Sequence, residues 1–233
     1  MTSPKKCLVF GAHGAIGTVV ALEFERNKFQ VWRSSRSHKP DIARGLVAIG
    51  ESKADAGTMQ ALPEFDAVVW AQGSNLNDSI AEFKAENLDE LLNSNVKFVA
   101  STLATLISQN KIVSGAKMCI VSSVWQDAIR PNKLSYAVSK AALNGLLKSV
   151  ALDLSDRKIF VNAVLPGVID TSMTRGVLSD EQILAVQGRT GFGRLVQPEE
   201  LAEVIYFLCS ESNNCISGQS IVADLGFTNV RPV

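Results

Sequence analysis

The sequence predicts a doubly wound α/β fold built on a central parallel sheet of about seven strands. Three observations carry that expectation. Short apolar runs alternate with segments of helical periodicity along the chain. The runs are continuous rather than alternately polar, which suits strands covered on both faces by helices. A glycine-rich turn, Gly11-Ala-His-Gly14-Ala15-Ile16-Gly17, follows the first run and opens the first helical segment.

Taken in order, the strand-like runs are Cys7–Phe10, Phe29–Arg33, Leu46–Ile49, Ala67–Trp70, Met118–Ser122, Ile159–Val164 and Ser220–Ala223. Helical crossovers are expected at Ile16–Asn27, Leu88–Ser108, Ser135–Leu154 and Pro198–Cys209, because parallel neighbours need long connections. This alternation makes the fold Rossmann-like, with ligands expected outside the carboxyl ends of the strands. Thr171–Gly193 fits no strand and lies between the sixth and seventh. That position reads as a substrate lid over residues 171–193. No Pro/Gly/Ser-rich or single-charge stretch divides the 233 residues, so one domain spanning 1–233 is expected.

Acidic and basic residues balance at 23 each. The balance lacks the electrostatic footprint of nucleic-acid or anionic-membrane binding and points to a small-molecule partner. The opening Met1-Thr-Ser-Pro-Lys-Lys-Cys-Leu-Val-Phe-Gly has too short an apolar run for a signal peptide, and no later run is long enough to span a bilayer. A cytoplasmic location is the expectation. Cys7 and Cys119 lie within strand-like runs, and Cys209 and Cys215 lack the paired spacing of zinc or dithiol sites, so reduced structural thiols are expected. With His13 and His38 as the only histidines, no metal site and no Ser-His-Asp triad is expected.

The glycine turn has the context of a dinucleotide-binding loop. Gly11 permits a tight turn, Gly17 permits close helix–sheet approach, and the helix N-terminus around Ile16 offers N–H groups and a positive dipole end to a pyrophosphate. At the end of the second strand an acid would accept a ribose 2′-hydroxyl, whereas a cation would receive a 2′-phosphate. Val31-Trp-Arg33-Ser-Ser35-Arg36 contains no acid. Ser35 and Arg36 therefore point to NADP(H), with NAD(H) as the alternative if Arg33 and Arg36 are ordinary surface charges.

The chemistry is read from Tyr136-Ala-Val-Ser-Lys140, with Ser123 thirteen residues upstream at the end of a strand. Val138, Ala142, Leu146 and Val150 repeat at helical spacing, placing Tyr136 and Lys140 one turn apart on one face. A phenol of reference pKa roughly 10 is protonated at neutral pH, and a neighbouring ammonium lowers that value. Tyr136 can then pass a proton either way, which points to carbonyl reduction or alcohol oxidation. A tyrosine and a lysine four apart also occur on amphipathic helices with no chemistry. Here they stand in order with the glycine turn, Asn95, Ser123 and Pro166-Gly167.

At those landmarks, together with Asn162-Ala-Val-Leu-Pro166-Gly167, the chain resembles the short-chain dehydrogenase/reductase family over essentially its whole length. The resemblance implies that Tyr136 is the acid/base, Lys140 binds the nicotinamide ribose and lowers the tyrosine pKa, Ser123 hydrogen-bonds the carbonyl, and Asn95 supports a water-linked proton relay. It further implies that Gly73 lies beside the adenosine ribose, and that Ile169, through its backbone, and Thr171 hold the carboxamide. Pro166–Glu181 and Gly193-Arg-Leu-Val-Gln-Pro-Glu-Glu200 look like the 3-oxoacyl thioester reductases. Arg175 matches a position that helps those enzymes dock acyl carrier protein, although a lone arginine is more often a solvated charge. Family members of this size form tetramers, so a homotetramer is expected, with a dimer as the alternative.

The chain also departs from the pattern. Ala15 replaces the middle glycine of the turn, Trp70-Ala-Gln-Gly73 stands where Asn-Asn-Ala-Gly is usual, and Asp224-Leu225-Gly226 replaces Asp-Gly-Gly. The short connection after Ile49 leaves Asp55 as the candidate adenine contact. Trp125, Gln126, Met173, Val177, Leu178 and Phe192 either line an apolar substrate pocket or simply pack. A 3-oxoacyl thioester, a cyclic ketone and a secondary alcohol all fit this reading. The rival from another class is a non-catalytic NADP-binding regulator on the same fold.

Overall fold

The computed structural model describes residues 3–35, 45–48 and 56–230. Its strands are β1 (Lys6–Phe10), β2 (Gln30–Ser35), β3 (Leu46–Ala48), β4 (Phe65–Trp70), β5 (Ile112–Val121), β6 (Phe160–Pro166) and β7 (Ser220–Ala223). They form one sheet in the order β3-β2-β1-β4-β5-β6-β7. Every pairing is parallel. The helices are α1 (Ala15–Arg26), α2 (Ala56–Gln60), α3 (Ala85–Leu92), α4 (Phe98–Ser108), α5 (Leu134–Asp153), α6 (Ser172–Val177), α7 (Asp180–Gln187) and α8 (Pro198–Cys209).

Strand β1 shows why the apolar runs are continuous. Cys7 and Val9 point into one core with Val20 and Phe24 of α1 and Ile205 of α8, while Leu8 and Phe10 point into the other with Leu106 of α4 and Leu147 of α5. Both faces are buried, and each fully buried side chain of this kind stabilises the fold by about 1.5–3 kcal/mol. On the α1/α8 face, Phe24 meets Phe29 and Tyr206 edge-on, with centroids 5.1 and 5.4 Å apart. Cys7, Cys119 and Cys209 belong to this same core. Burial pushes the Cys119 thiol up to about 12, so it stays a neutral packing group.

The chain order reverses beside β1: β2 and β3 lie on one side and β4 on the other. That reversal opens a crevice at the carboxyl ends of β1 and β4. Gly11 there has φ +72°, and a Cβ on it would lie 2.7 Å from the Gln72 N. A Cβ on Gly17 would lie 2.1 Å from the Gly11 carbonyl oxygen. Both obstacles are backbone, so neither can rotate away. Gly17→Ala is expected to cost at least the 1–3 kcal/mol of ordinary overpacking, or roughly 2–12 °C in melting temperature. A melting curve that superposes on the wild type would contradict this account of the close approach.

Several boundaries differ from the sequence expectation. The second strand begins at Gln30, because Phe29 packs against Phe24 and Tyr206 instead. The fifth begins at Ile112, with an irregular register opposite Phe65 and Ala67 and a Gly115 at φ +80°. Ile49, the expected end of the third strand, lies outside the described residues. The expected helix Leu88–Ser108 is α3 and α4 joined by a π-helical turn over Asn93–Lys97. Between Thr171 and Gly193, the chain forms α6 and α7, each capped by its own hydroxyl, Thr171 and Ser179. No helix among the described residues is long and apolar enough to cross a membrane.

Candidate active site

Tyr136 and Lys140 lie on α5 as its periodicity predicts, and β5 delivers Ser123 to them one residue beyond Ser122, whose N–H still pairs with Val164. Ser123 is extended and caps the short turn that follows, its Oγ accepting from the Trp125 N–H at 3.3 Å. The Ser123 hydroxyl also hydrogen-bonds the Tyr136 phenol. Lys140 is buried; its ammonium lies 5.7 Å from the Tyr136 ring centroid and donates to the Val121 carbonyl at 3.2 Å. Three candidate residues from two distant segments thus meet at the carboxyl end of β5.

The electrostatics differ from the sequence expectation. Lys140 was expected to draw the phenol pKa down, but burial raises it above the ordinary value and the Ser123 bond only partly offsets that. A phenolate there would lose more hydration than it regains from its neighbours. Tyr136 is thus held as the protonated acid. Burial also pulls Lys140 down to about 8, which leaves it charged at neutral pH.

Asn95 is turned inward by the π-helical turn, a device that inserts an extra residue into the helix and recurs at functional sites. Its Oδ1 accepts from the Ser74 N–H at 2.8 Å, and its Nδ2 donates to the Ser74 carbonyl and to Ser139 Oγ, both at 3.0 Å. Ser139 in turn donates to the Tyr136 carbonyl at 2.8 Å. Both amide hydrogens are therefore committed to holding the Gly73–Ser74 segment against α5. A Cβ on Gly73 would lie 3.0 Å from Asn95 Oδ1 and 3.7 Å from Lys140 Nζ, so the bare glycine keeps this approach open.

The nucleotide end fits a dinucleotide in three respects. Gly14 caps α1 without a side chain, and the first turn of α1, including Ile16 and Gly17, carries no acid, leaving the helix N-terminus open to an anion. The Lys140 ammonium has one hydrogen-bond acceptor among the described residues, so further N–H groups remain to hold ribose hydroxyls. Ile169 bridges Val196 in parallel register, with the bonds made by Val168 and Asp170. Its own N–H and C=O are consequently turned the other way and take no part in that bridge. Ser35 ends β2, while Arg36, His38 and Asp55 lie outside the described residues. Arg33 is paired with Glu25 at 2.8 Å, the ordinary surface role.

The remaining candidates divide. Trp125 is half-buried, meeting Phe227 edge-on at 6.1 Å with the Arg130 guanidinium over its ring at 5.6 Å. Gln126 does not line a pocket: it is buried and bonded to Ser122 Oγ at 3.0 Å and Ser220 Oγ at 3.2 Å. Met173, Val177 and Phe192 are 73%, 71% and 68% exposed, an apolar surface without protein packing. Thr171 Oγ1 accepts from the Thr174 N–H at 3.1 Å. Arg175 is not a lone charge, because Asp170 grips it through two bonds of 2.6 and 2.7 Å.

A family model described as Enoyl-(Acyl carrier protein) reductase matches residues 11–228, from the glycine turn to beyond β7. The chain belongs to the short-chain dehydrogenase/reductase family. Among its relatives, a glucose 1-dehydrogenase of Gluconobacter oxydans (strain 621H) is 31% identical over 96% of this chain and 92% of that protein. A 3-oxoacyl-[acyl-carrier-protein] reductase, FabG, of Thermotoga maritima is 33% identical over 72% of this chain and 68% of that protein. Similar solved structures include a short chain dehydrogenase family protein from Francisella tularensis (TM-score 0.84, 26% identity, 97% of this chain and 99% of that one). ElxO with NADP bound superposes with TM-score 0.83 at 25% identity, over 96% of this chain and 98% of that one.

Within this short-chain dehydrogenase/reductase, the Trp70 departure has a structural explanation. The indole is buried, stacks on Phe10 at 5.5 Å and donates to Thr102 Oγ1 at 2.9 Å, so its polar group is satisfied inside the core. Leu225 adopts the left-handed φ of 55° that glycine takes more readily, and its side chain packs against the α1/α8 core. Sequence reasoning missed the cluster at the start of α5. Asp78 accepts from the Ser135 N–H at 2.9 Å and from the Ser135 hydroxyl, and Lys133 donates to Asn75 Oδ1 at 2.6 Å and to the Leu76 carbonyl at 3.2 Å. The available signal was spacing: Lys133 lies three residues before Tyr136, on the same helical side.

Proposed function

We propose that the protein is an NADP(H)-dependent carbonyl reductase, transferring hydride between the nicotinamide and a ketone or secondary alcohol, with 3-oxoacyl thioesters as the leading substrate class. The observation that carries this reading is the convergence of Ser123, protonated Tyr136 and charged Lys140 beside the open glycine turn. When bound, the nicotinamide supplies or accepts the hydride. Ser123 donates a hydrogen bond to the carbonyl oxygen and orients it. Tyr136 then gives its hydroxyl proton to the oxygen that becomes the alcohol. Lys140 stabilises the phenolate left behind until solvent reprotonates it.

In this reading residues 1–233 form one dinucleotide-binding and catalytic domain, and 171–193 is the substrate lid. Met173, Val177 and Phe192 offer the apolar surface that an acyl chain would cover. Asn95 supports the water-linked proton relay and holds the Gly73–Ser74 segment in place, Gly73 lies beside the adenosine ribose, and Ser35 with Arg36 receives the 2′-phosphate. Docking of an acyl carrier would use the outer side of Arg175, whose side chain stays 58% exposed while Asp170 holds it. A cytoplasmic homotetramer completes the proposal, and light scattering that returns a monomer at micromolar concentration would overturn its assembly.

The test is initial-rate oxidation of NADPH and NADH against 3-oxoacyl thioesters, cyclic ketones, diketones and aldoses, followed by the matching alcohols with NADP⁺ and NAD⁺. Aldoses enter the panel because of the 31% identical glucose 1-dehydrogenase. Turnover faster with NADPH than with NADH supports both the chemistry and the phosphate site. Cofactor binding with no turnover on any member would favour the regulator instead.

A further inference from the structure

Lys133 presents a problem that the proposed reaction leaves unanswered. It is 7% exposed, yet it is a lysine, and desolvating an ammonium is expensive unless the charge is used. Its hydrogen-bond acceptors, Asn75 Oδ1 and the Leu76 carbonyl, are neutral, and no carboxylate pairs with it among the described residues. The loop that supplies these acceptors is itself tied down. Asn95 grips Ser74 from the π-helical turn, and Asp78 grips Ser135 at the start of α5. The Lys133 ammonium is thereby held 5.4 Å from the Tyr136 ring centroid, slightly nearer than that of Lys140.

We propose that Lys133 is a positioning residue for Tyr136, a second cation that holds the phenol and stabilises negative charge on its oxygen as the proton leaves. The inference rests on Tyr136 being the proton donor. The other charged or hydrogen-bonding groups around the phenol are Lys140 on α5, Ser123 from β5, Arg130 ahead of α5, which acts on Lys133, and Asp78, whose carboxylate is committed to Ser135. Glu86, Asp89 and Glu90 of α3 are exposed, and their carboxylates make no hydrogen bond to the cluster. Burial and Arg130 pull Lys133 down to about 8 against the opposing pull of Asp78, so it is charged at pH 7 and neutral where Tyr136 titrates. An arginine at this position would remain charged throughout.

That difference supplies a test needing no substrate. The chain has two tyrosines, so in a Tyr206→Phe background Tyr136 is the sole phenol, and its ionisation can be followed by carbon NMR. The Tyr136 midpoint in Lys133→Arg is expected about one pH unit or more below that in Lys133→Met. Equal midpoints would overturn the proposal, whether or not any carbonyl is ever found to turn over. With a substrate in hand, Lys133→Met is expected to lower kcat about tenfold at pH 7 with little change in the KM for NADPH. Lys133→Arg is expected to lose less of its rate between pH 7 and pH 9 than the wild type, because only Lys140 then gives up its charge in that range. A wild-type kcat in Lys133→Met, or equal losses in both folded variants, would refute it. Should thermal melting show that the arginine variant does not fold, the Met variant at pH 7 decides alone.

Discussion

Tyr136→Phe is expected to lower kcat for ketone reduction by about a thousandfold while NADPH still binds. The phenol is half-buried and hydrogen-bonded to Ser123, and its raised pKa keeps the proton available for donation. Removing the hydroxyl leaves the ring in place but deletes the proton donor, and general acid catalysis typically contributes 10²–10⁴-fold. Pre-steady-state measurement should show normal cofactor binding, tracked by nicotinamide fluorescence, followed by a near-absent chemical step. Equal turnover by the variant and wild type would remove Tyr136 from the mechanism, and with it the reading of the site.

Lys140→Met should separate activity from stability. Its ammonium lies beside both Gly73 and the Tyr136 ring, so its loss is expected to raise the KM for NADPH and lower kcat together, with kcat/KM down by roughly a thousandfold or more. The fold should nevertheless gain stability at pH 7. Lys140 has a folded-state pKa of about 8 against an ordinary 10.5, so between those values the unfolded chain holds a proton that the native chain has released. Stability therefore rises with pH across that window, and below it the wild type bears the cost of a buried charge, on the order of 3 kcal/mol. Lys140→Met escapes that cost. Its melting temperature should exceed the wild type's at pH 7, and the gap should close as pH rises from about 8 towards 10.5. A lower melting temperature at pH 7 would mean that the bond to the Val121 carbonyl outweighs desolvation. Activity of the wild type should meanwhile fall as pH rises through about 8, opposite in sign to its stability.

Much of this could be read in the chain because it depends on neighbours in sequence. Continuous apolar runs such as Cys7–Phe10 and Met118–Ser122 marked strands buried on both faces, and the two cores hold their apolar side chains. The glycines at 11 and 17 marked the close approach of α1 to β1, which the backbone contacts explain. The spacing of Tyr136 and Lys140 marked a shared helical face. By contrast, the π-helical turn that breaks the long central helix was not legible, because Asn95 is drawn inward by Ser74 and Ser139, 21 and 44 residues away. Whether Gln126 lines a pocket or packs stays open in the sequence, because nothing local reveals that Ser220, across the sheet, accepts its amide. Arg36, on which the 2′-phosphate reading turns, lies outside the described residues and still rests on the sequence.

Charge state divides the two kinds of knowledge most clearly. Local order alone determined the strand–helix alternation, the glycine turn and the placing of a phenol and an ammonium one helical turn apart, since those follow from backbone periodicity and the steric freedom of glycine. Only the tertiary structure decided that Tyr136 is held as an acid, that Lys140 and Lys133 both titrate near 8, and that the loop after β4 fastens the start of α5. Ionisation depends on the water and the charges a group loses or gains on burial, and burial is set by segments that meet only when the sheet has formed.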